Sequence, residues 1–143
     1  MSTDPVFMDT WGWCALGYRG DRHHANAVGC YRHLRQREAP IFTSDYVLDE
    51  VLTLLYRRAS FAEATRFAEG ILAAAALGHL TVERVTAERF GLAWALRKQL
   101  DDKPNISFTD LTSMVSMQER RIRHVFTEDA HFAQVGLGFS LVP

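Results

Sequence analysis

The sequence predicts an α/β protein, a three-layer α/β/α sandwich around a central parallel sheet of four to five strands. Three observations predict it. Short apolar runs alternate with longer stretches of helical periodicity along the chain, the pattern of repeated βα units. No Asn-Gly, Asp-Gly or Gly-Gly hairpin dipeptide joins those runs, so crossovers connect them, the strands pair in parallel and helices lie on both faces. The 143 residues, 48% hydrophobic, 11% aromatic and 23% charged, match what one hydrophobic core holds. With no repeat, low-complexity tract or linker, residues 1–143 read as a single domain.

Val6-Phe7-Met8 is an apolar run ending at Asp9, which suits a buried first strand with a carboxylate at its C-terminal end. Trp11 to Tyr18 and His24 to Arg37 read as helices, the second with Ala27, Cys30, Tyr31 and Leu34 at helical spacing. Pro40 stops that helix, and Ile41-Phe42-Thr43 is the second strand. Ser44 is the N-cap of a helix through Arg58, whose apolar side is Val47, Leu48, Val51, Leu54 and Leu55. Ser60 and Glu63 form a capping box for the next helix, which ends near Gly78.

Leu80 to Val85 alternates like a strand, and Thr86 caps a helix through about Leu100. Asp101 to Asn105, with Pro104, is a cluster of helix breakers and reads as a surface loop. Ser107 or Thr109 then caps a helix carrying Leu111, Met114, Val115 and Gln118. Ile122 to Phe126 is a strand, Thr127 to Gln134 a turn and short helix, and Phe139 to Val142, after Gly136 and Gly138, a terminal strand.

No run of about 20 apolar residues is long enough to cross a bilayer. The start MSTDPVF carries an acid where a secretory signal has its basic region, so the expected location is cytoplasmic. Cys14 and Cys30 are too far apart for a CxxC pair and too few for a disulfide framework, and both read as reduced. A net charge of -1 gives no global attraction to nucleic acid, so a polyanion would have to be held by a local patch or a metal. Among the basic residues only Lys98 and Lys103 are lysines; the rest are Arg, whose guanidinium forks match phosphate oxygens.

In an open parallel sheet the ligand crevice lies beyond the carboxyl ends of the strands. Four acids belong there. Asp9 follows the first strand, Asp129 follows the strand ending at Phe126, and Glu50 lies in the second turn of the helix leaving the second strand. Asp110 joins them provided the N-terminus of its helix faces the same edge. Glu50 flanks the Val47, Val51, Leu54 stripe, and Asp110 flanks Leu111, Met114 and Val115, with no Lys within a turn of either. Converging carboxylates repel unless protons or a cation neutralise them, and oxygen-only ligation suits Mg²⁺ or Mn²⁺. Such an ion activates water and stabilises charge on a phosphodiester, so metal-dependent phosphoryl hydrolysis is the candidate chemistry. Each acid also has an ordinary structural explanation: Asp9 as an N-cap, Asp110 as a first-turn acid, Asp129 as a turn residue. Asp45, Asp49 and Glu128 are adjacent acids able to substitute, whereas Asp4, Asp21, Asp101 and Asp102 read as solvated.

VFMDT at the start, TSDYVLDEVLTLL in the first third, SFTDLTSMVSM near residue 110 and VFTEDAHFAQVGL toward the end together resemble a PIN domain, of the kind found in VapC-type toxins of toxin-antitoxin pairs. The resemblance covers essentially the whole chain. It implies a Mg²⁺- or Mn²⁺-dependent ribonuclease, a homodimer, and an antitoxin protein as a possible partner. Its acidic cluster falls on Asp9, Glu50, Asp110 and Asp129, with Thr127 and Thr10 as supporting hydroxyls. One position departs from the pattern: Trp11 stands where relatives often have a small polar residue, which bears on the substrate groove more than on the metal site.

Around that cluster the sequence offers further candidates. His131, two residues after Asp129, is placed to serve as an acid toward the leaving oxygen, but packing beside Phe132 is the preferred reading. Arg57, Arg58, Arg120, Arg121 and Arg123 are candidates for phosphate contact. Trp11, Trp13 and Tyr18 follow the metal edge and are able to stack bases, but core or dimer packing is the preferred reading. A haloacid dehalogenase-type phosphatase needs a second Asp two residues after the first, where this chain has Trp11. A receiver domain needs a Lys near the end, and Lys103 is the last. The alternative from another class is a catalytically silent PIN-like module that binds RNA or protein; its sign would be loss of an acid, and all four acids are present.

Overall fold

The structure, a computed structural model, describes residues 3–143. Within them the order is β1 (Val6–Met8), α1 (Thr10–Gly17), α2 (His24–Gln36), β2 (Ile41–Ser44), α3 (Asp45–Arg58), α4 (Phe61–Ala76), β3 (Thr81–Glu83), α5 (Ala87–Gln99), α6 (Phe108–Arg120), β4 (His124–Phe126), α7 (His131–Gln134) and β5 (Ser140–Val142). The five strands form one sheet in the order β3-β2-β1-β4-β5, and every pairing is parallel. This is the α/β architecture expected from the alternation of apolar runs and helices.

β1 is central because its side chains are buried on both faces; Val6, Phe7 and Met8 all belong to the core. From β1 the chain winds outward through β2 to β3, then crosses back to β4 on the other side of β1. Winding therefore reverses between β1 and β4, and the crevice beyond their C-terminal ends is where an open α/β sheet binds ligands.

The caps set the helix entry points. Ser44, Ser60, Thr86 and Ser107 accept hydrogen bonds from the backbone N–H groups of Val47, Glu63, Arg89 and Asp110 at 3.1, 3.1, 3.2 and 3.1 Å. Of the two cap candidates for α6, Ser107 is the one used. The box at Ser60 is half made, because Glu63 reaches instead to Arg19, accepting from its backbone N–H at 3.2 Å. Gly78, at φ +80°, ends the α4 turn in a left-handed conformation that glycine adopts without a Cβ penalty.

Three strands are shorter than expected, the last by one residue, since β5 begins at Ser140 rather than Phe139. The Leu80 to Val85 stretch pairs only over Thr81–Glu83, and the Ile122 to Phe126 stretch only over His124–Phe126. Alternation marks what can be extended; pairing also needs a neighbour in register, and β2 offers β3 only Phe42 to Ser44.

α6 is the most enclosed helix. Asp110 through Met117 are all buried, with α5 packed along it and α3 touching it. Thr43 ties the centre together: its hydroxyl donates to the Met8 carbonyl at 2.9 Å and accepts from the Trp13 indole N–H at 3.0 Å. α1 is thereby fixed to β1 and β2 at the point where β1 delivers Asp9.

Candidate active site

Asp9, Glu50, Asp110 and Asp129 line one cavity of about 490 Å³ together with Thr10, Trp11 and His131. β1 and β4 deliver Asp9 and Asp129 at the winding reversal; α3 and α6 bring Glu50 and Asp110 from the sides. The expectation that the N-terminus of α6 faces this edge is met, because Ser107 and Asp110 share the cavity wall.

Asp9 occupies the N-cap position of α1, yet its side chain makes no capping hydrogen bond. Instead Oδ2 accepts from the Thr127 hydroxyl at 2.9 Å, while Oδ1 is buried without a hydrogen-bond partner. Burial pushes the Asp9 carboxyl up to about 6; the nearby Thr10 amide and the Thr127 hydroxyl oppose the rise, and the charges of Asp129 and Glu50 add to it. Asp110 is pushed further, to about 8, first by burial and then by Asp9, Asp129 and Glu50. Both shifts have the sign expected of acids gathered without a cation.

Two threonine hydroxyls touch the acids. Thr10 donates to Glu50 Oε1 at 2.8 Å, and Thr127 also accepts the Asp129 backbone N–H at 3.0 Å. Thr127 thus fixes two of the four acids from one hydroxyl. Asp129 Oδ1 accepts the His131 backbone N–H at 2.9 Å, a turn that aims the rest of the carboxylate into the cavity.

His131 differs from its preferred sequence reading. Phe132 enters the core, but the His131 ring turns the other way, its Nδ1 3.2 Å from Asp129 Oδ1 and 3.8 Å from Asp110 Oδ2. The 3.2 Å approach lacks hydrogen-bond alignment, and Nδ1 is buried without a partner of proper geometry. One ligand atom from each of Asp110, Asp129 and His131 lies within 4.8 Å of the others, close enough to share a metal ion.

The neighbouring acids separate clearly. Asp45 accepts the Val85 N–H at 3.0 Å and faces Arg84, away from the cavity. Asp49 is exposed, and Glu128 lines the cavity while paired with His23 at 3.2 Å. Asp21, read as solvated, lines the cavity too; it accepts the His23 N–H at 2.8 Å in the turn between α1 and α2, which folds back over the site. Only that fold-back places it there, and no local pattern announces it.

Of the five candidate arginines, Arg58 alone lines this cavity. Arg120 is engaged with Glu83, and Arg121 and Arg123 precede β4, at the opposite end from the residues that β4 delivers. Trp13 is buried core, whereas Trp11 is half-buried in the cavity wall. Cys14 also borders the cavity, its thiol raised to about 11 chiefly by burial, so it stays protonated. A larger cavity of about 730 Å³, lined by Trp13, Leu16, Tyr31, Phe67 and Ile71 between α1, α2 and α4, contains none of the four acids.

A parallel sheet with clustered acids at its winding reversal defines the class: residues 6–137 match the PIN domain family, and the chain belongs to it. Within that family the chain is 35% identical over 134 residues to the 23S rRNA-specific endonuclease VapC20 of Mycobacterium tuberculosis, in strains CDC 1551 / Oshkosh and H37Rv, spanning 92% of this chain and 94% of the relative. The crystal structure of Mycobacterium tuberculosis VapC20, described as a Sarcin-Ricin loop cleaving toxin, matches with a TM-score of 0.77 and 32% identity, over 92% of this chain and 95% of that one. No helix among the described residues is long and apolar enough to cross a membrane.

Proposed function

We propose that the protein is a Mg²⁺- or Mn²⁺-dependent endoribonuclease that hydrolyses an RNA phosphodiester bond, and that it acts as the toxin of a toxin-antitoxin pair. The observation that carries the reading is the cavity shared by Asp9, Glu50, Asp110 and Asp129, in which Asp9 Oδ1 is buried without a partner. The donor set fits a hard divalent cation: carboxylate oxygens dominate, and an incomplete protein shell leaves room for water and phosphate oxygens.

Asp9 and Asp110, the most buried of the four, would hold the ion, with Glu50 and Asp129 completing the acidic shell. When bound, Mg²⁺ or Mn²⁺ supplies Lewis acidity, lowering the pKa of water and offsetting charge that develops on the phosphodiester. The chain's own part is positioning. Thr127 holds Asp9 and Asp129, Thr10 holds Glu50, and Ser107 starts the α6 turn that presents Asp110. Because the nucleophile is water, no Ser, Cys or His nucleophile is needed, in keeping with a Cys14 thiol held protonated.

The relatives' names suggest the substrate: the sarcin-ricin loop of 23S rRNA. Further partners proposed are an antitoxin protein and a second copy of the chain, the latter supported by exposed Phe61 and Leu72 on α4, Leu77 just after it and Trp94 on α5. With ribosomal RNA as the proposed substrate, the proposed location is the cytoplasm. The test is incubation of the purified protein with a sarcin-ricin loop transcript and unrelated structured RNAs, in Mg²⁺, Mn²⁺ or EDTA. Cleavage at a defined position in the metal arms and none in EDTA is expected. Binding without cleavage in every arm would mean a silent binding module.

A further inference from the structure

Trp11 is the one aromatic ring besides the His131 imidazole among the residues that line the acidic cavity. It lines the cavity two residues after Asp9, and since consecutive Cα atoms are about 3.8 Å apart, its backbone lies within about 7.6 Å of that acid's. Its side chain shares the cavity wall with the four acids, so a nucleotide next to a phosphate held by them lies along the same wall.

The indole is braced rather than loose. Its centroid is 5.3 Å from the His23 ring at 54° and 6.4 Å from Phe126 at 36°. The His23 ring is itself fixed, its Nδ1 3.2 Å from Glu128 Oε2. Gly12 sets the height of α1 over β4, since a Cβ there would come within 2.7 Å of both the Phe126 ring and its carbonyl oxygen. Yet Trp11 stays partly exposed in the wall, unlike the buried Trp13, whose indole N–H is committed to Thr43.

Charge adds a second argument. The wall carries Asp9, Asp21, Glu50, Asp110, Glu128 and Asp129 against one guanidinium, that of Arg58. Such a wall repels RNA phosphates apart from those met by a cation, so affinity at this spot has to come from a contact that ignores charge. Stacking a base on a fixed ring is that contact, and it requires the base to be unpaired.

We propose that Trp11 is a specificity-determining residue that stacks an unpaired nucleobase next to the scissile phosphate. The proposal deepens the nuclease reading and rests on it. It selects RNA in which a nucleotide flanking the cut is free of base pairing, as in a loop or bulge.

The test uses an RNA that the full-length protein cleaves, with a single abasic site placed in turn at each nucleotide flanking the cut. For the parent, one of these sites should lower kcat/KM by about ten- to hundredfold, the worth of a lost stack. The same abasic RNA should cost Trp11→Leu less than about twofold relative to intact RNA, because the partner ring is already gone. Trp11→Phe should retain a reduced penalty, and it carries the test should Trp11→Leu fail to fold. Equal penalties in parent and variants, or a parent indifferent to every abasic site, would overturn the stacking role while leaving the nuclease intact. A parent that cleaves no RNA in any metal would remove both.

Discussion

At the first turn of α6, Asp110 is buried beside Asp9 and Asp129, and among the described residues its basic neighbour is the His131 ring, 3.8 Å away, rather than a guanidinium; at its last turn, Arg120 reaches across to Glu83, which ends β3 and is equally buried. One helix therefore joins two opposite treatments of a buried carboxylate. Burial pushes Glu83 up, but the hydrogen bond and charge of Arg120, followed by Arg89, outweigh it and hold the carboxyl below its ordinary value. Arg89 also pairs with Glu119 at 2.8 Å, so the far end is a closed network. Asp9 and Asp110 receive acids as neighbours instead, and their carboxyls rise to about 6 and about 8. A buried acid supplied with cations by its own chain is costly to unpair, and buried acids left short of cations are the candidate place for an external ion.

The sharpest way to break the comparison is to remove one charge from each end. Asp9→Asn keeps the shape and one oxygen but weakens the acidic shell. Cleavage should fall at least about a hundredfold, about 2.7 kcal/mol in the barrier, while the variant melts no lower than the parent without metal. A folded Asp9→Asn that cleaves RNA at the parental rate would remove Asp9 from the active site. Glu83→Gln should do the reverse: stability falls by about 1–3 kcal/mol in a denaturant titration, discounted because Arg120 is half exposed, and cleavage below the melting temperature changes little. If Glu83→Gln instead abolished cleavage in a folded protein, the two ends of α6 would not be separate devices.

The smallest expected effect sharpens the contrast through pH. Asp9 and Asp110 titrate above their ordinary value of 3.8, so the metal-free folded state keeps protons that the unfolded chain has released. By linkage, their contribution to stability falls as pH rises from about 4 to about 8. Glu83 has the opposite sign: its contribution is present above the unfolded pKa and is lost as pH falls through its lowered folded value. In EDTA the melting temperature should therefore drop by several degrees between about pH 5.5 and 8, and saturating Mn²⁺ should restore it most at the higher pH. Superimposable melting profiles with EDTA and Mn²⁺ across that range would argue against an ion on these carboxylates.

The layered α/β fold and the identities of the four acids were legible in the sequence because both depend on local signals. Apolar runs, helical periodicity, Ser and Thr caps and an acid directly after a strand are written within a few consecutive residues. Asp9 and Asp129 could be placed at one edge because strand ends in a parallel sheet share it, and Glu50 because its helix leaves the second strand there; Asp110 depended on the N-terminus of α6 facing that edge, which packing decided. What depended on orientation across the chain was not legible. His131 and Phe132 are adjacent, and only the path of α7 decides that Phe132 enters the core while His131 faces Asp129 and Asp110. Asp21 reaches the cavity because the turn between α1 and α2 folds back, and Arg120 is engaged by Glu83 because β3 presents it there. Trp11 and Trp13, two residues apart on one short helix, divide between cavity wall and core for the same reason. Sequence periodicity specifies which residues share an element and a face; which other element meets that face, and so which side chains end up facing a site, is settled only when the elements pack.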